Sequence, residues 1–549
     1  MKLFAAAPLV LALLAPSAGA LDASAVSVGH ICSAEKDFTA PKGPRKIEFM
    51  SGIGTGGFAV RTASPEAQKW FDYGLQLYHA FYHEDARLAF DKAVAADPAC
   101  AMCLWGQALS RGPTMNFDVD ASDARAGLEM ARQALKLART DEERSLAQAM
   151  IDRYRGGQTA PATEQKFAAA LLKVSDKDPA ATDIRLIAAH ALMTAGRRMD
   201  GDKAMGAQAQ ALIEPILKAQ PDNTAAIHYY IHATEFAGDP VVAEPYAQRL
   251  AGLAPQASHL IHMAAHTFIH VGRYEDVGAL NARALEVDAE HSKRTDAPGA
   301  LGAPDYYPHN LSFGLAGSMM AGDGPLAVKF ADDAKVAFPP GTHGNVDYLF
   351  ARVLSAYGRY APDRALALPA PKGSDKFWVS MWRYARGEAL AGRGDAKAVQ
   401  EESRQIGLAL GGKTDTKGGK DEGLAVALIA RQVLQGRAQM LEGHPDAAAK
   451  TFAIAAGMQD GFKWGMDPPP FWYPVRRSQA AAELKAGDPA GALRDADASL
   501  KAWPRDALAL HVRALAERKL GQDAKAEADE VASRAAWHGA SGGVPIDLI

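Results

Sequence analysis

The stretch WFDYGLQLYHAFYHEDARLAFDKAVAADP, residues 70–98, decides the fold. Apolar and aromatic residues recur there at three- and four-residue spacing, the signature of helices burying one face. The markers run Trp70, Gly74, Ala86, Ala93, Pro98, and similar runs return at Gly238, Ala243, Pro255 and at Gly272, Ala279, Leu285. Further on come Gly487, Ala492, Ser499, Pro504, then Gly521 and Ala526. Each unit reads as a helical period, a Gly-Asp or Gly-Arg turn and a second helix opening on small residues. The units keep step: Pro221 and Pro255, Gly238 and Gly272, and Gly487 and Gly521 are each 34 residues apart. A fixed period of this size predicts a repeat array, in which stacked helix pairs bury the faces that no single pair can bury alone.

These residues resemble the tetratricopeptide repeat (TPR), a 34-residue helix–turn–helix. Residues 70–98 and RALAERKLGQDAKAEADEVASRA (513–535) carry the match best, and degenerate units extend it over most of residues 63–536. The resemblance implies an all-α, TPR-like α-solenoid wound as a right-handed superhelix. It also implies that the first helix of each unit lines a concave groove suited to a protein or peptide partner.

The chain has 549 residues, 48% hydrophobic and 23% charged, with net charge −4. This is an ordinary globular composition, and the charge balance excludes a polybasic nucleic-acid or membrane-surface binder. Lys2, the apolar run Leu3 to Leu14 and the small residues Pro16 to Ala20 read as a secretory signal peptide over 1–20, too short for a membrane span. The expected location is periplasmic or secreted, with no membrane span after cleavage. The remaining divisions are an irregular, Gly/Pro-rich arm (21–62), a first array (63–291), a long loop (292–308), middle helices (309–410), a flexible Gly/Lys linker (411–423), a last array (424–537) and a tail (538–549).

Export makes the three cysteines notable, because an oxidising compartment permits disulfides. Cys100 and Cys103 have CxxC spacing where a helix should begin, after Asp97-Pro98; Cys32 leaves the count odd. A structural disulfide, one to Cys32 included, inert thiols and a redox or metal pair are all open readings.

Six of the 16 histidines fall in residues 228–270: His228, His232, His259, His262, His266 and His270. Even placement gives about 1.3 in that window. At about 100° per residue, His228, His232 and Glu235 share about 60° of one helix, and the other four share about 80° of the next. His262 follows His228, and His266 follows His232, by the repeat length of 34. The expected register therefore sets His228 against His262 and His232 against His266. Counting from the turn glycines Gly196, Gly238, Gly272 and Gly322 adds His190 and His309 to the ladder.

Neutral imidazole is the commonest protein ligand for zinc and copper. The expected site is a transition-metal centre, Zn or Cu, with His228, His232, His262 and His266 as ligands. Glu235, His259, His190 and His309 are supporting or alternative ligands, and Glu235 can either add an oxygen or hold an imidazole by its second nitrogen. Two other functions compete: a metal-free interaction scaffold, and a metal-dependent hydrolase with Glu235 as general base. The Glu of a zincin motif is missing after His228, and no phosphate loop or nucleophile elbow is present. The strings HYYIHATE (228–235), HLIHMAAH (259–266), DPACAMCLWGQAL (97–109) and YYPHN (306–310) resemble an uncharacterised group of exported bacterial TPR proteins, which implies one shared site but no reaction.

Weaker features complete the reading. GPTMN (112–116) is a turn placed to fold over the groove. MDPPPFWYP (466–474) is a rigid lead-in to a helix or a groove wall anchored by Phe471 and Trp472. Arg476 and Arg477 read as solvated.

Overall fold

The computed structural model describes residues 46–549 except 157–159, 179–180, 198–201, 296–305, 338–346, 372–374, 415–421, 463–466 and 540–542. The expected signal peptide, Cys32, most of the long loop and most of the Gly/Lys linker lie outside the described residues. Those residues form 24 α-helices and two short 3₁₀ turns, with no strand. Nearly every helix packs on the next in sequence, and alternate helices also touch, as in a TPR-like α-solenoid. None of the helices is long and apolar enough to cross a membrane.

The repeat has a packing basis. A Cβ added to Gly74, Gly314 or Gly436 would meet the ring of Phe90, Phe330 or Phe452 at 2.7, 2.3 and 2.6 Å. Each phenylalanine comes from the partner helix of the same hairpin, so a bare backbone on one helix lets an aromatic ring seat between the two. Side-chain caps start many helices: Ser64, Asp120, Asn223, Asp375 and Asp506 each accept a backbone N–H of the first turn. Gly238, Gly272 and Gly322 end theirs in the left-handed conformation, as the turn reading expects. Gly196 differs: it lies inside the helix Thr182–Arg197, against Met205.

The array closes on itself. The helix Pro65–His79 packs against Thr224–Ala237, far along the chain. Tyr82 donates to Ser258 Oγ at 3.1 Å, and His291 meets Asp85 at 2.6 Å. The described part of the arm straps these units together, across the end of the helix Tyr274–Arg294 and then the starts of three others. Lys46 N donates to Thr295 O, Gln256 N to Gly52 O, Thr55 N to Thr224 Oγ1 and Gly57 N to Asp183 Oδ1. At the other end, His538 N donates to Ala321 O and Pro504 sits on Gly272. The first-helix faces consequently turn into the body of the protein, and one apolar core runs from Ile53 to Trp503. Arg477 belongs to that interior, paired with Asp506 at 2.9 Å and 2% exposed, which corrects its reading as solvated.

Candidate metal centre

Three successive first helices carry the histidines: Thr224–Ala237, Ser258–Val271 and Tyr307–Ala321. The face that reads as an open polar groove is an interior layer: His228, His232, His259, His262, His266 and His309 are all buried. They form two groups, His228–His232–His259 and His262–His266–His309, and within each the ligand-capable atoms lie within 4.8 Å of one another.

The pairing differs from the register that the spacing implies. His228 Nε2 meets His259 Nε2 at 3.2 Å, while His266 meets His262 on its own helix and His309 on the next. His232 does face His266, with ring centroids 5.6 Å apart and Glu235 on both, but His228 is not set against His262, because helices pack ridge into groove and side chains lean toward their N-termini. His228 thus meets the histidine one turn before its sequence equivalent. His259 and His309 stand as full members of the two groups. His190 belongs to neither: its Nδ1 lies 3.1 Å from Tyr78 Oη, and Met115 N approaches its Nε2 at 3.4 Å. His270 is a helical turn beyond His266, and burial lowers its pKa to about 4.

The second group is the more tightly held. His262 Nδ1 lies 2.7 Å from Asn281 Oδ1, and the Asn281 amide is fixed because its Nδ2 donates to Val277 O. His266 Nδ1 lies 2.9 Å from Glu235 Oε1, and His309 Nδ1 faces Asp467 Oδ1 at 3.4 Å. The oxygens on Nδ1 of His262 and His266 accept an N–H there, and a neutral ring then keeps its lone pair on Nε2; Asp467 favours the same tautomer in His309. The three Nε2 atoms converge, with His266 Nε2 2.9 Å from His262 and 3.1 Å from His309. Burial, then the charge His266 would carry, hold the His262 pKa well below its ordinary value, so His262 itself is the neutral ring of its pair with His266.

The first group repeats the theme with a lighter frame. His228 Nδ1 donates to His79 O at 2.7 Å, which leaves its Nε2 bare. His232 Nδ1 lies 3.3 Å from Glu235 Oε2. Both carboxylate oxygens of Glu235 therefore rest on imidazoles, one in each group: it holds rings by their second nitrogens. Burial is the leading cause that lowers the pKa of His228, His232 and His259.

Aromatic rings seal the layer. Phe81 lies 4.4 Å from His228 and 4.9 Å from His259, and Phe313 lies 4.5–4.9 Å from the three rings of the second group. The 112–116 turn does close over the layer, since Asn116 donates to Tyr306 Oη. Residues 467–473 form a wall: Phe471 and Trp472 are buried, and Arg352 ties to Pro468 O and Pro469 O. Sequence spacing misses Asn281, on the second helix of His262's own hairpin, and Asp467, Phe81 and His79, which reach the site from other units. For Asp467 the one available signal is its place in the proline-rich stretch. Cys100 and Cys103 form a disulfide, and Cys100 Sγ also caps the helix Ala101–Leu109.

No protein-family model and no curated protein matches the chain. Among solved structures it is similar to yeast Tom70, at 13% identity over 85% of this chain and 96% of that one, TM-score 0.31. It is also similar to the TPR domain of P58(IPK), at 13% identity over 83% and 98%, TM-score 0.23. A human IFIT1 dimer with m7Gppp-AAAA is similar at 13% identity over 76% and 87%, TM-score 0.31. Superpositions this loose say nothing about what the chain binds.

Proposed function

We propose that this protein is an exported, TPR-like solenoid that binds a transition-metal ion, zinc or copper, inside its first-helix layer. One observation carries the reading: three buried Nε2 atoms converge at 2.9–3.1 Å while Asn281 and Glu235 hold the opposite Nδ1 of His262 and His266, and Asp467 faces that of His309. Lone pairs packed this closely repel unless a cation lies among them. Zn–N bonds of ~2.0–2.1 Å in a tetrahedron place ligand nitrogens ~3.3 Å apart, close to the separations seen. Carboxylate and amide oxygens on the outer nitrogens are how proteins orient and strengthen histidine ligands. Export rests on the signal-like residues 1–20, and an α-solenoid also offers its outer surface to protein partners. The buried histidines do not present themselves to a peptide, and Glu235, engaged on two imidazoles, is poorly placed as a hydrolytic base.

The test uses protein purified without a histidine tag and stripped with chelator. Zinc or copper should raise the melting temperature at neutral pH by mass action on the folded state, and the shift should shrink near pH 5 as imidazoles protonate. A folded His266→Gln, His309→Gln variant should lose the response of this centre. No co-purified metal and no shift with any first-row ion would overturn the reading.

A further inference from the structure

We infer that the histidine layer holds two ions, and that they are copper. The inference rests on the metal reading above and extends it to His228, His232 and His259. Their ligand-capable atoms lie within 4.8 Å of one another, as in the first centre proposed, His262–His266–His309. His228 Nε2 carries a lone pair, because its Nδ1 must donate to His79 O. His259 can satisfy it with an N–H, but that leaves two buried atoms without a protein partner: His259 Nδ1 and His232 Nε2. Buried polar nitrogens at an apolar wall cost free energy unless something binds them. A cation among the three rings supplies that partner.

The two groups are neighbours. Across the boundary, His232 and His266 have ring centroids 5.6 Å apart, and His259 and His262 5.9 Å. Within the first group the separations are 4.9–6.5 Å. The six rings therefore form one contiguous imidazole cluster, and Glu235 bridges its halves through His232 and His266.

Charge selects the metal. The carboxylates placed on these six rings are Glu235 and Asp467. The buried Arg352 guanidinium already faces Asp467, so two divalent ions with neutral imidazoles would leave three uncompensated positive charges in a sealed apolar layer, which is costly. Two cuprous ions leave only one. Imidazole suits copper, and a three-nitrogen set suits the low coordination number of Cu(I).

The experiment is an anaerobic titration of the stripped full-length protein with Cu(I) against a chromophoric chelator. Wild type should take up about two ions per chain. His259→Gln and His309→Gln should each take up about one, with far-UV circular dichroism confirming the fold; His259→Ala and His309→Ala provide second versions. After oxidation with ferricyanide, wild type should give a Cu(II) paramagnetic signal well below two spins, because adjacent ions couple, and each single-site variant should give about one full spin. One ion per wild-type chain, unaffected by His259→Gln, would overturn the second centre and leave the first standing. No uptake would overturn the metal reading itself. Two zinc ions bound as tightly would overturn the choice of copper.

Discussion

At the scale of single residues, Glu235 has the most to do, since one carboxylate supports an imidazole in each group. In Glu235→Gln the amide oxygen can accept from one Nδ1–H while the amide NH₂ is left against the other. Loss of such supports typically costs ~10–100-fold in metal affinity, and a competition titration should show that loss without a change in helix content; unchanged affinity would contradict the support role. Acid is a second residue-scale probe. Burial lowers the pKa of His83 to about 3 and of His270 to about 4, and pushes His190 well below its ordinary value. Between those values and about 6.5, the unfolded chain holds protons that the folded one refuses, so stability is present above pH 6.5 and is lost as pH falls. The slope is ~1.4 kcal/mol per pH unit for each such histidine. Asp288, raised to about 7 by burial, and Asp72, raised to about 6, work the other way, because acid relieves their cost, but the buried histidines outnumber them. Urea unfolding of metal-free protein should show a steady loss from pH 7 to pH 5; a flat profile would count against neutral buried histidines.

At the scale of elements, the turn between Pro65–His79 and His83–Ala96 is the least expected piece. Phe81 sits there at φ +62°, a conformation that costs a side-chain-bearing residue energy, and its ring faces His228 and His259. Phe81→Ala should destabilise by ~3–5 kcal/mol through the lost ring. Phe81→Gly removes the same ring but also relieves the backbone, so it should be at least as stable as Phe81→Ala, reversing the usual order. Denaturant midpoints decide it, and a glycine variant clearly weaker than the alanine one would show that the backbone is unstrained. Other turns were open to reading from sequence because their chemistry is local: Gly238, Gly272 and Gly322 are needed where a helix ends left-handed. The 34-residue period was equally plain, since Gly238 and Gly272, and Gly487 and Gly521, each take the same left-handed turn one repeat apart. The His228–His259 pairing was not, because the tilt between packed helices is absent from any one helix's periodicity. Asp467 and Phe81 were hidden for a related reason: they arrive through closure of the array, a long-range event that leaves no spacing behind.

At the scale of the whole molecule, that closure ties the metal layer to both ends of the chain. Asp467 supports His309 from the far side of the middle helices, and Gly272 touches the last array six residues after His266. Gly272 provides a measurable handle. Its φ is +77°, and an added Cβ would lie 1.9 Å from Pro504 O, which must then move. Gly487 has the same kind of backbone, φ +89°, with nothing within 4 Å of an added Cβ. Alanine at either site carries the backbone penalty, on the order of 1 kcal/mol. The difference between Gly272→Ala and Gly487→Ala therefore isolates the contact between the two arrays. Gly272→Ala should be the more destabilising by ~1–3 kcal/mol, in the range of an overpacked interior. It should also weaken metal binding, because relief of the clash shifts the turn that ends the helix carrying His259, His262 and His266. Gly487→Ala should leave metal binding as it is. Chemical denaturation and a chelator competition on both variants settle the point: equal losses would mean that the last array does not press on the histidine layer, and that the two ends of the solenoid fold and bind independently.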